Sequence, residues 1–149
     1  MALTHWAVVE LVESTVAALT PAEMASASDV YTSLHGATID ELAMVHADRR
    51  FMVMDTAPPR RTPGMSGECV RVTLPLTVAI TYHVSQESRR RRMADVWQID
   101  ACFRDIQRNA DVYSVAVVPQ QNRLIAGDNS LRVQASWSLE IEYRTTEAS

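Results

Sequence analysis

Two long stretches of the chain alternate strictly between apolar and polar positions. The first covers residues 70–84, and the second covers residues 131–144. A period of two predicts β-strands with one face on a core and the other face in contact with water or a partner. Ordinary strands have roughly five or six residues, whereas at ~3.3 Å per residue these strands would reach ~45 Å. We therefore expect them to extend beyond the core of a domain this small.

Two other segments have the spacing of amphipathic helices. The first is predicted after Thr4, a candidate N-cap, and ends at about Leu19 because Pro21 stops it. Its apolar stripe consists of Trp6, Val8, Val9, Leu11, Val12, Val16 and Leu19. The second is predicted over residues 86–109, with the stripe Met93, Val96, Trp97, Ile99, Phe103 and Ile106. Its wetter side is predicted to hold Asp95, Asp100, Arg104, Asp105 and Arg108.

Shorter segments complete the expected order of elements. Residues 51–54, 113–117 and 123–126 are candidate strands, and residues 127–130 are a predicted turn into the second long strand. Residues 22–50 are harder to assign. Alternating residues at 30–34 suggest a short strand, and Thr38 with Glu41 forms a candidate capping box for a short helix.

This order predicts an α+β fold. We expect a mainly antiparallel sheet with long strands and two main helices packed on one face, which is an α/β sandwich. Neither an internal repeat nor a long linker divides the chain, so residues 1–149 are predicted to form a single domain. Residues 145–149 are expected to form a flexible C-terminal tail.

Composition narrows the classes of function. The chain has 149 residues and is 47% hydrophobic, which is enough for a core without disulfides or metal. Its net charge of −4 gives no general attraction to nucleic acid or to anionic membranes. The N-terminus lacks the basic and apolar regions of a signal peptide or a membrane span. Cys69 and Cys102 are predicted to be free thiols, with a disulfide between them as the alternative.

Arginines mark two candidate contact regions. Residues 55–67 contain three prolines and two glycines around Arg60 and Arg61, which predicts a long exposed loop. A four-arginine run, Arg89, Arg90, Arg91 and Arg92, stands at the predicted start of the second helix. Cations there are disfavoured by the helix dipole, by ~0.3–1 kcal/mol, which indicates a partner. A solvated run before the true helix start is the alternative, and contact with phosphates is another.

The sequence contains no recognisable catalytic or metal-binding motif. Four single histidines, His5, His35, His46 and His83, have no metal-ligand spacing to one another. The sequence around Ser66 is one residue short of a nucleophile elbow, and no glycine-rich phosphate loop is present. We therefore predict no enzyme activity, no catalytic residue, no metal and no cofactor.

Three segments resemble a known family. They are VRVTLPLTVAITYHVSQESRRRRMADVWQIDACFRDI, YSVAVVP and LRVQASWSLEIEYRT. A long strand with a polar face leads into one amphipathic helix, and a hairpin then ends in a Trp-containing strand that closes on an aromatic-Arg pair. This pattern, which covers about residues 67–145, resembles the tail terminator (tail-completion, or tail-to-head joining) proteins of long-tailed bacteriophages and phage-derived particles.

The resemblance implies a structural protein of the virion. It implies a ring, expected to be a homohexamer, that caps the tail tube, stops its polymerisation and joins the tail to the head connector or stopper protein. DNA would pass through the ring without sequence-specific contact, and no membrane is involved. The implied location is the virion tail or neck, and the bacterial cytoplasm during assembly. Arg60, Arg61 and the run at 89–92 are the candidate subunit or partner contacts.

Two alternatives belong to other classes. One is a small soluble α+β module that binds a ligand, or an enzyme without a recognisable motif. The other is a nucleic-acid-binding protein. A stable dimer with a deep polar pocket would favour the ligand-binding module, and affinity that falls steeply with salt would favour nucleic-acid binding.

Overall fold

The computed structural model of the protein describes residues 2–23, 30–33, 50–62, 70–84, 86–127 and 130–146. The elements in chain order are α1 (His5–Ala17), β1 (Thr32–Ser33), β2 (Arg50–Asp55), β3 (Arg60–Arg61), β4 (Val70–His83), α2 (Gln86–Asp105), β5 (Val112–Pro119), β6 (Arg123–Gly127) and β7 (Ser130–Thr145). A 3₁₀ turn, Ile106–Arg108, continues α2. The seven strands form one sheet, and this confirms the predicted α+β fold.

The two long strands are neighbours at the centre of the sheet. β4 has 14 residues and β7 has 16, and they pair antiparallel from Val70 opposite Thr145 to His83 opposite Arg132. At ~3.3 Å per residue the shared ladder is ~45 Å long. The predicted strands are therefore confirmed, and they pair with each other.

Short strands line both edges of this central pair. β2 and β3 follow one another along β4, and β5 and β6 follow one another along β7, all of them antiparallel to their long neighbour. β1 pairs with β2 in the one parallel ladder of the described residues. The sheet is thus mainly antiparallel, as predicted.

The core lies on one face of the sheet. Alternate residues of the long strands are buried there: Val70, Val72, Leu74, Leu76, Val78, Ile80 and Tyr82 from β4, and Ala135, Trp137, Leu139, Ile141 and Tyr143 from β7. Both helices cover this face, as expected. Val8, Val12 and Val16 of α1 join the same core, and Phe103 of α2 meets Trp137 edge-to-face with ring centroids 6.1 Å apart.

The first helix begins as the sequence predicts. The Thr4 hydroxyl oxygen accepts a hydrogen bond from the Ala7 N–H at 3.0 Å, which satisfies one of the free donors of the first turn. The helix ends at Ala17, before Pro21. The prediction for Trp6 is wrong, because its side chain is 62% exposed and does not widen the buried stripe.

The predicted core face of α2 is partly wrong. Met93 and Trp97 are 63% and 81% exposed. Asp95, which was expected on the wet side, is fully buried. The Tyr82 hydroxyl donates a 2.8 Å hydrogen bond to the Asp95 carboxylate, so burial of this polar group is compensated. The helix is rotated so that Asp95, Ile99 and Phe103 face the sheet.

The short segments agree with most expectations. Residues 51–54 lie within β2, residues 113–117 within β5 and residues 123–126 within β6. Gly127 is the register partner of Ser130, which makes β6 and β7 a hairpin. Residues 32–33 form β1. The predicted helix at Thr38 and Glu41 lies outside the described residues.

Two boundaries differ from the sequence prediction. The expected loop over residues 55–67 is not continuous, because Asp55 belongs to β2 and Arg60 and Arg61 form β3 against β4. The tail was expected to start at position 145, yet Thr145 is the last residue of β7 and is buried. Its pairing with Val70 gives it a place in the ladder. Cys102 is a buried free thiol, as predicted, and Cys69 lies outside the described residues.

Candidate interaction surfaces

Arg60 and Arg61 lie on a two-residue strand at one end of the sheet. Both side chains are exposed, and their register partners on β4 are Thr73 and Val72. The Arg60 guanidinium forms a 3.0 Å ion pair with Glu140 of β7. Because Thr73 points away from the core, Arg60 lies on the sheet face opposite the helices.

The arginine run lies inside α2, in its first two turns. The helix begins at Gln86, so the run is not a loop before the helix. The Arg90 side chain forms a 2.8 Å ion pair with Glu23, which ties α2 to the segment after α1. Arg89 is exposed, whereas Arg91 and Arg92 are half-buried. The run is thus divided, since Arg90 pairs with a residue of the same chain and Arg89 points to solvent.

The two groups of arginines do not form a single site. β3 pairs with β4 at Thr73, whereas α2 follows His83, roughly ten residues or ~33 Å farther along the same strand. They also lie on different layers of the molecule. Each group therefore belongs to a different surface.

The sheet face opposite the helices is open. Within the described residues, neither helix covers it. On the two long strands its middle consists of small residues with half-buried side chains, apart from the buried Ala79: Pro75, Thr77, Ala79, Ser136 and Ser138. Apolar side chains of the neighbouring strands flank this middle: Met52, Met54 and Val118. We call this the open face. It is a low-relief surface without a net charge in its middle.

Charged side chains form pairs at one end of the open face. The Arg144 guanidinium donates two hydrogen bonds to one oxygen of Asp111, at 2.8 and 3.1 Å. The Arg71 guanidinium lies 3.9 Å from the centre of the Tyr113 ring and 3.6 Å from Glu142. A β-bulge between Val112 and Ser114 brings Tyr113 to this position. These pairs balance their own charge and hold the ends of the strands together.

An apolar patch covers the outer side of α2. It consists of Met93, Val96 and Trp97, which are neighbours at helical spacings of three and four residues. Arg89 and Arg92 lie one turn before Met93 and Val96 on the same side. We call these five residues the α2 patch. An exposed Trp beside arginines is typical of a protein interface, because Trp and Arg are enriched there.

Two grooves flank α1. One, of about 740 Å³, lies between α1 and Asn109 at the end of the α2 segment. The other, of about 380 Å³, lies between α1 and β2. We call the second the α1–β2 groove, and its walls are His5, Trp6, Val9, Glu13, Val53, Asp55, Pro59 and Leu74. It is mainly apolar, and its carboxylates come from Glu13 and Asp55.

The sheet ends in an unpaired edge and a projecting hairpin. β5 is the last strand of the order β1-β2-β4-β7-β5, so its outer edge has no partner among the described strands. The β6–β7 hairpin extends beyond β5 along the same side, and Leu124 on it is 68% exposed. An unpaired edge with exposed apolar residues can bind another protein.

Two side chains with reactive chemistry are well defined in the structure. Burial, with smaller contributions from Asp105 and Asp100, raises the pKa of the Cys102 thiol to about 12. A thiol with so high a pKa is a poor nucleophile, because the thiolate is the reactive form. His5 lines the α1–β2 groove, and its Nδ1 lies 2.5 Å from the hydroxyl oxygen of the buried Tyr143.

The described part of the chain contains neither a candidate metal site nor a candidate membrane span. No group of three or more His, Cys, Asp or Glu side chains there could hold a metal ion. None of the helices described there is both long and apolar enough to cross a bilayer.

Sequence reasoning missed the α2 patch because it assigned the patch to the core. A signal for the correct face was present, since Asp95, Ile99, Cys102 and Ile106 also follow spacings of three and four residues. The sequence prediction placed Asp95 on the wetter side, because a carboxylate is rarely buried. The α1–β2 groove was missed for a similar reason, since Trp6 was assigned to the buried side.

Comparison with known proteins adds no relative. No protein-family model matches the chain, and no curated protein matches it in sequence.

Proposed function

We propose that this protein is a tail terminator of a long-tailed bacteriophage or a phage-derived particle. In this role it forms a ring that caps the tail tube, stops tube polymerisation and joins the tail to the head connector. The observation that carries the proposal is the central β4–β7 pair. Its ~45 Å ladder is covered by helices on one face and is open on the other.

An open face of this kind suits the wall of a wet channel. On the two long strands its middle consists of Thr, Ser, Ala and Pro side chains, which carry no charge, and the flanking Met54 and Val118 are uncharged as well. The charged residues at its end are already paired with one another. A neutral wall would let DNA pass without holding it, because unpaired cations are what bind the phosphate backbone.

The edges of the sheet supply contacts between subunits. β5 offers unpaired backbone groups, and the β6–β7 hairpin carries the exposed Leu124. In a ring, each subunit presents one surface to the next subunit and a different surface to the previous one. Such a subunit needs distinct contact surfaces on its two sides, and the unpaired edge is a candidate for one of them.

The two groups of arginines have separate roles in this proposal. Arg60 and Arg61 lie on β3 at one end of the sheet, and we assign them to contact with the tail tube. The run from 89 to 92 is assigned to contact with a neighbouring subunit or the connector. The proposed role requires no reaction and no cofactor, and it places the protein in the tail or neck of the particle.

The test is tube growth. Tail tube protein is allowed to polymerise with increasing amounts of the purified protein, and tube lengths are measured by electron microscopy. A terminator stops growth at far less than one copy per tube subunit, and rings are visible at tube ends. Tubes that grow to the same length at saturating protein would contradict the proposal.

Arginine variants separate the proposed contacts. Replacement of Arg60 and Arg61 by Ser should weaken capping while ring formation is retained, because both side chains lie outside the core. The matched control is Arg108→Ser, an exposed arginine of the 3₁₀ turn that pairs only locally with Asp105. Equal capping by the Arg60/Arg61 variant and the control would reject the assigned tube contact.

A further inference from the structure

The α2 patch and the α1–β2 groove are both apolar, but one is convex with positive charge beside it and the other is concave with negative charge. The patch projects an exposed Trp97 with arginines beside it. The groove is a concave apolar site with carboxylates from Glu13 and Asp55. We infer that the α2 patch of one copy docks in the α1–β2 groove of a second copy of this chain. This inference builds on the ring of the proposed function.

The position of the two surfaces supports contact between copies. Gln98 marks the side of α2 that faces the α1 segment, because its amide donates to the Thr20 carbonyl and its side-chain oxygen accepts from Tyr31. At 3.6 residues per turn, Val96 and Met93 point about 160° and 140° away from Gln98 around the helix, and Trp97 points about 100° away. Val96 and Met93 therefore face away from α1, and Trp97 points to the side.

The groove lies on the other flank of the helix layer. The α1–β2 groove lies against β2, and it shares Trp6 and Glu13 of α1 with the groove that reaches Asn109. In the sheet, β2 and β5 lie on opposite sides of the central pair, and α1 contacts β2 whereas α2 contacts β5. The patch and the groove thus point in different directions, which suits a head-to-tail contact better than an intramolecular one.

Shape and charge are complementary across this contact. Trp97 is the most exposed of the large apolar side chains, and the groove wall consists largely of Trp6, Val9, Leu74 and Pro59. Burial of a Trp in such a site is a common anchor of protein interfaces. Arg89 and Arg92 stand beside the patch, and Asp55 is exposed at the groove. Opposite charges around an apolar centre fix the register and disfavour other partners.

The symmetry of the contact follows from its two different halves. A surface that binds a different surface on the next copy is heterologous, so it closes into a ring or continues as a filament. Removal of the patch from one copy and of the groove from another leaves one complete contact between the two variants. This gives the contact a specific experimental signature.

The test uses two variants of the full chain, Trp97→Asp and Trp6→Asp. Both side chains are largely exposed, so both variants should fold. Sedimentation equilibrium should show that each variant alone associates at least about tenfold more weakly than wild type, as expected for loss of an interface anchor. An equimolar mixture should form heterodimers, because the first variant retains the groove and the second retains the patch.

The matched control is Val84→Asp, which places the same charge on an exposed apolar side chain outside both surfaces. It should associate like wild type. A charge exchange adds a second control: Arg89→Glu and Asp55→Arg should each weaken association, and a mixture of these two variants should recover it. Recovery by the mixture would not follow from a general loss of folding.

Three results would overturn the inference. They are wild-type chain that stays monomeric at its highest soluble concentration, a Trp97→Asp variant that associates like wild type, and a variant mixture that forms no heterodimer. Tube capping separates this inference from the proposed function. If a patch or groove variant still forms an unaltered ring that caps tubes, the inferred contact is wrong and the proposed function stands. If the wild-type ring depends on both surfaces but leaves tube growth unchanged, the inferred contact stands and the tail-terminator role is wrong.

Discussion

Cys102 lies in α2 among core residues, and its ionisation is coupled to folding. Burial raises the pKa of its thiol from 9.0 to about 12. Below pH 9 the thiol is protonated in the folded and unfolded chains, so its contribution to stability is fully present. Between pH 9 and 12 the unfolded chain loses the proton more readily. The free energy of unfolding should then fall by about 1.36 kcal/mol per pH unit.

The Cys102→Ala variant isolates this effect. Urea unfolding of both proteins between pH 8 and 10.5 measures the difference in their free energies of unfolding. This difference should be constant up to about pH 9 and should then change by up to about 1.36 kcal/mol per pH unit. All other ionisable groups are common to both proteins, so their contributions cancel in the comparison. Parallel stability curves over the whole range would show that the folded thiol ionises normally. Slow reaction of native Cys102 with a thiol reagent at pH 8 is an independent check.

At the scale of elements, the rotation of α2 is coupled to one buried hydrogen bond. Asp95 faces the core because Tyr82 of β4 donates to its carboxylate at 2.8 Å. Tyr82→Phe removes this donor and leaves the ring in place. The free energy of unfolding should fall by about 1–3 kcal/mol, the usual cost of a buried polar group that loses a partner.

The control for this prediction is Tyr113→Phe. Tyr113 lies at the sheet edge with a partly exposed ring, so its hydroxyl is not buried as that of Tyr82 is. Its effect should stay within about 0.5 kcal/mol. A double-mutant cycle with Asp95→Ala should give a clear coupling energy for Tyr82, because the two residues are in contact. Equal effects of both Tyr variants would mean that the Tyr82–Asp95 bond does not stabilise the fold.

The strands were predictable from the sequence because their signal is local and repeated. Every second residue of β4 and β7 is apolar, and only an extended backbone puts all of these residues on one face. Thr4 and Pro21 similarly marked the limits of α1. The two-residue strands β1 and β3 lack such a repeat, since they are held by pairing with strands far away in sequence. The order of strands in the sheet also depends on these long-range pairs.

The candidate surfaces were harder to predict than the strands. α2 carries two stripes with helical spacing, one through Met93 and Trp97 and one through Asp95 and Ile99. Hydrophobicity favoured the first. The second is buried because Tyr82, on another element, satisfies the carboxylate. A sequence does not reveal that partner, so the exposed face of α2 became visible only in three dimensions. The arginines were predicted as an exposed group, yet Arg90 pairs within the chain.

At the scale of the whole molecule, two layers follow from the same alternation, a sheet and a layer of helices on one of its faces. The other face of the sheet stays open, the outer side of α2 carries the α2 patch, and the α1–β2 groove lies between α1 and the sheet. A monomer rarely exposes a large apolar patch without a use for it. Since the patch and the groove differ, contact between them leads to growth or ring closure rather than to a simple two-fold dimer.

This arrangement couples assembly to stability. Association between folded copies requires the folded helices α1 and α2, so it stabilises the native chain by mass action and has no counterpart in the unfolded chain. The temperature of unfolding should therefore rise with protein concentration, and calorimetry over a hundredfold range of concentration measures it. Trp97→Asp should lose most of this dependence, whereas Val84→Asp should retain it. A wild-type unfolding temperature that is independent of concentration would contradict assembly of the free chain. A Trp97→Asp variant with the full dependence would instead place the contact elsewhere, and the unpaired edge of β5 would then be the surface to test next.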